Sequence, residues 1–162
     1  LSKSQWICFL DSDDFWHKDK LKIIHDEIID DSKIDVICHN EKVFYSNNSK
    51  LGKTMNYGPF CKDFYLQMLQ FGNELSTSAT AVKRSFLNNY SLRFNESQSL
   101  FIVEDFDLWL RLARNGANFK FINRYISQQD PPKPSLTQLE LLVCKMFHMY
   151  KIAKNRKRLK KD

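Results

Sequence analysis

The chain has 162 residues, a length typical of one domain, and 43% of these residues are hydrophobic and 14% aromatic. This composition excludes a disordered or collagen-like chain, and the apolar runs are far shorter than the roughly 20 residues that span a bilayer. The net charge of +6 arises in residues 151–162, since basic and acidic groups balance over the preceding residues. The charge therefore indicates a basic tail on a neutral domain, and a nucleic-acid partner is not expected.

The first ten residues, LSKSQWICFL, differ from a secretion signal. They lack an initiator Met and a basic stretch, and Asp11 interrupts the apolar run that follows. We therefore expect a cytoplasmic protein whose printed sequence begins inside a longer one. The cysteines form no CxxC pair, which predicts free thiols rather than a metal site or disulfides.

Short apolar runs alternate with helical spacings along the chain. The apolar runs predict strands at residues 6–10, 35–39, 43–45, 79–82 and 118–122. Helical spacing and helix-end signals predict helices at residues 18–31, 60–71, 84–89 and 104–115. We expect the first strand to be buried on both faces of a parallel or mixed sheet. The alternation predicts an α/β fold for residues 1–128, with the sheet flanked by helices.

The helix at residues 104–115 has the clearest end signals. Its first turn is acidic and its last turn basic, as the helix dipole favours, and Gly116 follows as a candidate C-cap. The charged residues are Glu104, Asp105, Asp107, Arg111 and Arg114. Taken alone, this pattern is explained by helix stability.

After the breaker DPPKP, apolar residues recur at three- and four-residue spacing, which predicts an amphipathic helix within residues 135–162. This helix runs into the basic tail. Such a tail can bind an anionic membrane surface, which would place the protein peripherally on the inner face of the membrane. The alternative is a solvated C-terminus whose helix packs on the domain.

The motif FLDSDDFW, residues 9–16, places Asp11, Asp13 and Asp14 at the carboxyl end of the first strand. Ligands of open α/β sheets bind at such ends. Three neighbouring carboxylates repel one another unless a cation compensates them, and oxygen ligands suit Mg²⁺ or Mn²⁺ completed by substrate phosphates. The motif therefore predicts a metal-assisted phosphate site, and the alternative is an acidic turn that caps the next helix.

Two other interpretations of this motif fit less well. An EF-hand loop starting at Asp11 would need a central Gly and a terminal Glu that the following residues lack. A haloacid-dehalogenase-like phosphatase also places DxD after a buried strand. That motif has Thr or Val two places beyond its second Asp, where this chain has Phe15.

FLDSDDFW followed by VEDFDLWLRLARNGANFKFI resembles the second half of a family 2 glycosyltransferase of the GT-A fold. The segments FGNELSTSATAVKRSFL and SLRFNES between them also resemble this family. The similarity extends over residues 5–125. Either motif alone is only suggestive, whereas their occurrence in this order is specific.

The resemblance implies an inverting transfer from a nucleotide-sugar donor, expected to be a UDP-sugar, to a saccharide or lipid-linked acceptor. It implies that Asp11 contacts the ribose or metal and that Asp13 coordinates a diphosphate-bound Mn²⁺ or Mg²⁺, with Asp14 in support. Asp105 would be the general base, with Glu104 beside it. Ser76, Thr77 and Ser78 would line the sugar pocket, and the alternative is that they are ordinary strand-edge positions.

Two features depart from the family pattern. Relatives begin with strand and helix units that bind the base and ribose, and here roughly 60–90 such residues would be missing before the first strand. Many relatives also carry a His after the catalytic helix, and ISQQDPPKPSLT offers none. A second class of function therefore stays open, a non-catalytic glycosyltransferase remnant or an interaction module with a basic tail.

Overall fold

The computed structural model describes residues 2–43, 53–60, 62–97, 100 and 103–129, without the side chains of 128 and 129. The strands are β1 Trp6–Cys8, β2 Phe15–Trp16, β3 Val36–Val43, β4 Thr54–Met55, β5 Thr80–Lys83 and β6 Phe119–Gln129. The helices are α1 Lys20–Asp30, α2 Phe64–Phe71, α3 Arg84–Asn89 and α4 Glu104–Arg114. The predicted amphipathic helix and basic tail lie outside the described residues. Of the described helices, none is both long and apolar enough to cross a membrane.

The six strands form one mixed sheet in the order β1-β5-β3-β6-β2, with β4 paired to β3. The β3–β6 pair is parallel, and the other pairs are antiparallel. Strands β1, β3 and β6 therefore end at the same edge of the sheet, and β5 starts there. We call this edge the carboxyl edge.

The chain crosses from the first strand of the sheet order to the last within residues 9–14, because β1 is followed directly by β2. The crossing starts beside β5, where the Phe9 N–H donates to the Thr80 carbonyl at 3.2 Å. The antiparallel pairing of Phe15 with Gln128 and of Trp16 with Ser127 fixes the far end of the crossing.

Apolar side chains cover both faces of the sheet and so define three layers. On one face, Trp109, Phe106 and Met68 of α4 and α2 pack against Val36 and Cys38 of β3. The opposite face carries a smaller cluster, in which α1 covers the sheet, formed by Ile24, Ile34, Ile37, Ala81 and Ile122.

The structure confirms the predicted elements and changes several bounds. Strand β1 is an edge strand that pairs with β5 alone among the described strands. It packs on both core clusters, Ile7 on one and Trp6 and Cys8 on the other, but it is only half-buried and not fully buried as expected. Strand β3 continues through the predicted break before Val43, because its polar residues find buried partners. Helix α2 starts late, where the Asp63 carboxylate accepts the Leu66 N–H at 3.0 Å. The two-residue strands β2 and β4 are too short to leave a sequence pattern.

The cysteines of the described residues are free thiols, as predicted. Cys38 is fully buried, and burial raises the pKa of its thiol to about 12. Burial also raises the pKa of Cys8. Both thiols are therefore protonated at neutral pH and act as small apolar side chains.

Candidate active site

Residues 11–14, the acidic turn, follow β1 at the carboxyl edge. The turn closes with the Asp14 N–H donating to the Asp11 carbonyl at 3.2 Å. The Asp11 N–H donates to the hydroxyl of Ser78 at 2.9 Å, 67 residues along the chain. Asp11 itself is exposed, and Asp13 and Asp14 are half-buried. The turn is therefore fixed through its main chain, while the Asp11 side chain remains open to solvent.

Asp105 lies in the first turn of α4 and is fixed through its side chain. Its Oδ1 accepts the N–H of Phe106 at 2.6 Å. Its Oδ2 accepts the side-chain amide of Asn73 at 3.1 Å and the hydroxyl of Thr77 at 3.4 Å. All three donors are neutral, so among the described residues the carboxylate is oriented by neutral groups and not by a cation.

Burial raises the pKa of Asp105 to about 6, and the negative charges of Glu104 and Asp11 raise it further against the opposing hydrogen bonds. Asp105 is therefore ionised at neutral pH and still basic enough to accept a proton. Asp11 and Asp105 are also linked through neighbouring residues, because Ser78 contacts the Asp11 N–H and Thr77 contacts the Asp105 carboxylate.

Glu104 precedes Asp105 at the start of α4 and is half-buried. Its Oε2 is enclosed and has no hydrogen-bond partner among the described residues. Both acidic residues of the predicted pair therefore lie at the start of α4, and the described residues hold the carboxylate of Asp105 through three hydrogen bonds.

Residues 73–78, which we call the linking segment, contact both the acidic turn and Asp105. Ser78 contacts the acidic turn, and its neighbour Thr77 contacts Asp105. Of the three residues predicted to line a sugar pocket, Ser76 and Thr77 are half-buried, whereas Ser78 is fully buried. The Ser78 side chain therefore supports the acidic turn from below the surface.

Lys20, a residue that the sequence patterns did not identify, lies beneath the linking segment at the start of α1. It is fully buried, its Nζ donates to the Ser78 carbonyl, and it stands 4.2 Å from the centre of the Trp16 ring. The Trp16 indole N–H donates to the same carbonyl at 3.1 Å. These two donors fix the main chain of Ser78, whose side-chain hydroxyl accepts the Asp11 N–H.

The Lys20 ammonium also balances part of the acidic charge. Burial lowers the pKa of Lys20 to about 8, and the nearby carboxylates of Glu41 and Asp14 act in the opposite direction. Asp14 therefore has a cationic neighbour within the protein. The charged groups that shift the pKa of Asp105, in contrast, are both acidic, namely Glu104 and Asp11.

Glu41 supports the linking segment from β3. Its carboxylate is fully buried and accepts the Tyr57 hydroxyl at 2.9 Å and the Ser127 hydroxyl at 2.5 Å. Burial raises the pKa of Glu41, and hydrogen bonds from these hydroxyls and from Ser76 oppose the rise. The linking segment is therefore held, through Ser76, by a buried polar network around Glu41.

The described residues offer no group of three or more His, Cys, Asp or Glu side chains arranged to hold a metal ion. The metal-binding role of Asp11, Asp13 and Asp14 stays a prediction. Their carboxylate oxygens have the chemistry that Mg²⁺ or Mn²⁺ prefers, and one or two such ligands suffice where substrate phosphates complete the shell.

The three-layer α/β fold is that of a GT-A glycosyltransferase domain. The chain matches the sequence profile of Glycosyl transferase family group 2 over residues 6–157. It therefore belongs to the family 2 glycosyltransferases, as the order of its motifs predicts. This membership decides against the phosphatase alternative.

A solved structure supports the same fold. The chain is similar to residues 1–349 of Staphylococcus aureus TarS, with 18% sequence identity and a TM-score of 0.56. The similarity covers 80% of this chain and 36% of that chain, so this chain spans about a third of the TarS structure. A search of curated protein sequences gave no match.

Proposed function

We propose that this protein transfers a sugar, with inversion, from a nucleoside-diphosphate donor to a hydroxyl of a saccharide or lipid-linked saccharide. The reaction would serve cell-surface polysaccharide or glycolipid synthesis. The observation that carries the proposal is Asp105, a carboxylate with a raised pKa and neutral donors, at the same sheet edge as the acidic turn.

Asp105 acts as the general base in this proposal. The acceptor oxygen attacks the anomeric carbon, the bond from that carbon to the diphosphate oxygen breaks, and the hydroxyl proton moves to the carboxylate. Oδ2 already accepts two side-chain donors, whereas Oδ1 accepts the Phe106 N–H. Oδ1 therefore retains a lone pair for the proton.

The acidic turn binds the donor in this proposal. Asp11 would contact the ribose or the metal, and Asp13 would hold a Mn²⁺ or Mg²⁺ ion together with the donor diphosphate. When bound, the ion neutralises charge on the departing diphosphate. Asp14 acts in support, since Lys20 already faces it. The half-buried Ser76 and Thr77 line the sugar pocket.

The experiment that tests this proposal is calorimetric titration of the full-length protein with UDP and other nucleoside diphosphates, with and without Mn²⁺. We expect metal-dependent binding that Asp13→Ala weakens at least tenfold. Asp30→Ala is the matched control, because Asp30 is an exposed aspartate at the far end of α1. Equal binding by Asp13→Ala, or binding that does not need the metal, would contradict the donor-site assignment.

A further inference from the structure

Asn73 is held at both ends of its side-chain amide. Its Nδ2 donates to Asp105 Oδ2 at 3.1 Å, and its Oδ1 accepts the N–H of Leu75 at 3.1 Å. The Leu75 contact fixes which end of the amide is the oxygen, because an N–H can donate only to an acceptor. The amide nitrogen is therefore the atom that faces the carboxylate.

The backbone before Asn73 sets the direction of its side chain. Helix α2 ends with the Gly72 N–H donating to the Met68 carbonyl at 2.9 Å. Gly72 has a φ of +105°, a conformation that side chains with a Cβ rarely adopt. This turn leads the chain away from α2 and towards the start of α4, where Asp105 lies.

The geometry points to Asn73 as the positioning residue of the catalytic base: its amide occupies Asp105 Oδ2 and leaves Oδ1 to take the acceptor proton. The inference rests on the proposed function, since it assigns a task within that reaction. Thr77 is the second donor to Oδ2, at the longer distance of 3.4 Å. A hydroxyl can rotate to another acceptor, whereas the Asn73 amide is fixed by Leu75.

The linking segment that carries Asn73 is suited to hold a fixed geometry. Leu75 is buried, and the Ser76 carbonyl accepts the Thr80 hydroxyl at 2.6 Å. The Ser78 carbonyl accepts Lys20 and Trp16. Errors of about 1 Å in the position of a catalytic group can lower a rate about 100-fold. The precise placement of the Asn73 amide therefore matters more for the rate than the strength of its hydrogen bond.

Loss of the Asn73 amide would change the titration of Asp105 in a defined direction. The charged groups that act on Asp105 are Glu104 from α4 and Asp11 from the acidic turn, and both favour its protonated form. The Asn73 hydrogen bond favours the ionised form. Without it, the pKa of Asp105 rises and the base is less available at a given pH.

The test compares Asn73→Ala and the isosteric Asn73→Asp in the full-length protein. We expect kcat to fall about 10- to 100-fold with the KM for the donor unchanged, and the acid limb of the pH–rate profile to move to higher pH. Asn73→Asp moves the limb further, because it adds a negative charge. Asn118→Ala is the control, since Asn118 also makes side-chain hydrogen bonds, at the opposite edge of the sheet.

An activity-independent measurement separates this inference from the proposed function. Carbon-13 NMR follows the titration of the Asp105 carboxyl, with Asp105→Asn used for assignment and thermal melts used to confirm folding. An unchanged Asp105 pKa in folded Asn73→Ala overturns the inference even if the enzyme is active. A wild-type protein without transferase activity overturns the proposed function, and the NMR titration still decides whether Asn73 holds the carboxylate.

Discussion

The two acidic regions of the site are anchored in opposite ways. The acidic turn is fixed by its main chain, where the Asp11 N–H meets the Ser78 hydroxyl, and Asp11 is exposed. Asp105 is fixed by its carboxylate, which accepts three hydrogen bonds. This difference suits the proposed roles, in which the exposed Asp11 contacts the donor and the oriented Asp105 accepts a proton.

The two regions also differ in how their charge is balanced. Asp14 has the buried Lys20 ammonium nearby, whereas the charges that act on Asp105 are those of Glu104 and Asp11. Burial raises the pKa of Asp105, and the charges of Glu104 and Asp11 add to this rise. The comparison therefore predicts that substitutions at Asp105 act on the chemical step and that substitutions near the acidic turn act on donor binding.

The largest expected effect is that of Asp105→Asn. We expect kcat to fall about 10²- to 10⁴-fold, the range typical for loss of a general base, with the donor dissociation constant unchanged. Single-turnover kinetics and calorimetry measure the two quantities separately. Asp107→Asn is the control, because Asp107 is an acidic residue of the same helix turn that pairs with Arg111 at 2.6 Å. Full turnover by Asp105→Asn would exclude Asp105 as the base.

The next effect is the pH dependence of stability. The pKa of Asp105 is about 6 in the folded protein against 3.8 for an ordinary aspartate side chain, so the folded state binds this proton more tightly. The contribution of Asp105 to the free energy of unfolding therefore falls as pH rises from about 4 to about 6 and stays low above that range. Urea unfolding at several pH values measures it. We expect Asp105→Asn to remove this fall, and an unchanged pH profile in the variant would contradict the raised pKa.

The smallest expected effect is that of Ser78→Ala, which removes the acceptor of the Asp11 N–H. Such a hydrogen bond is worth about 1 kcal/mol, so we expect the donor dissociation constant to rise about fivefold. The acid limb of the pH–rate profile should not move. Ser85→Ala serves as control, since Ser85 is exposed on α3. A shift of the acid limb as large as that of Asn73→Ala would show that the two regions are not held independently.

The sequence predicted those site residues that belong to short local motifs. The charges of α4 and the three aspartates after β1 are visible as motifs, because each lies within one turn or one strand end. Lys20 was missed because it stands in KDKLK, a pattern typical of an exposed helix start. Its burial depends on Trp16 and Ser78, which the fold brings to it from β2 and from the segment before β5.

Asn73 was missed for a related reason. It precedes the small polar residues that the family resemblance marks, and its contact with Asp105 joins residues 32 positions apart. The half-burial of β1 was also not predictable, because an apolar run does not record how many strands pair with it. Local chemistry thus identified the carboxylates, and tertiary contacts identified the groups that hold them.

The crossing from β1 to β2 has only six residues, 9–14, and hydrogen bonds hold its middle. The Asp14 N–H closes a turn onto the Asp11 carbonyl, and the Asp11 N–H donates to Ser78, so this short segment has few alternative conformations. A nucleotide-sugar donor that binds to this segment, as proposed, meets a preformed conformation, so binding costs little conformational entropy of the chain. Lengthening the stretch by a single glycine would restore that freedom, and weaker binding would reveal how much the short path contributes.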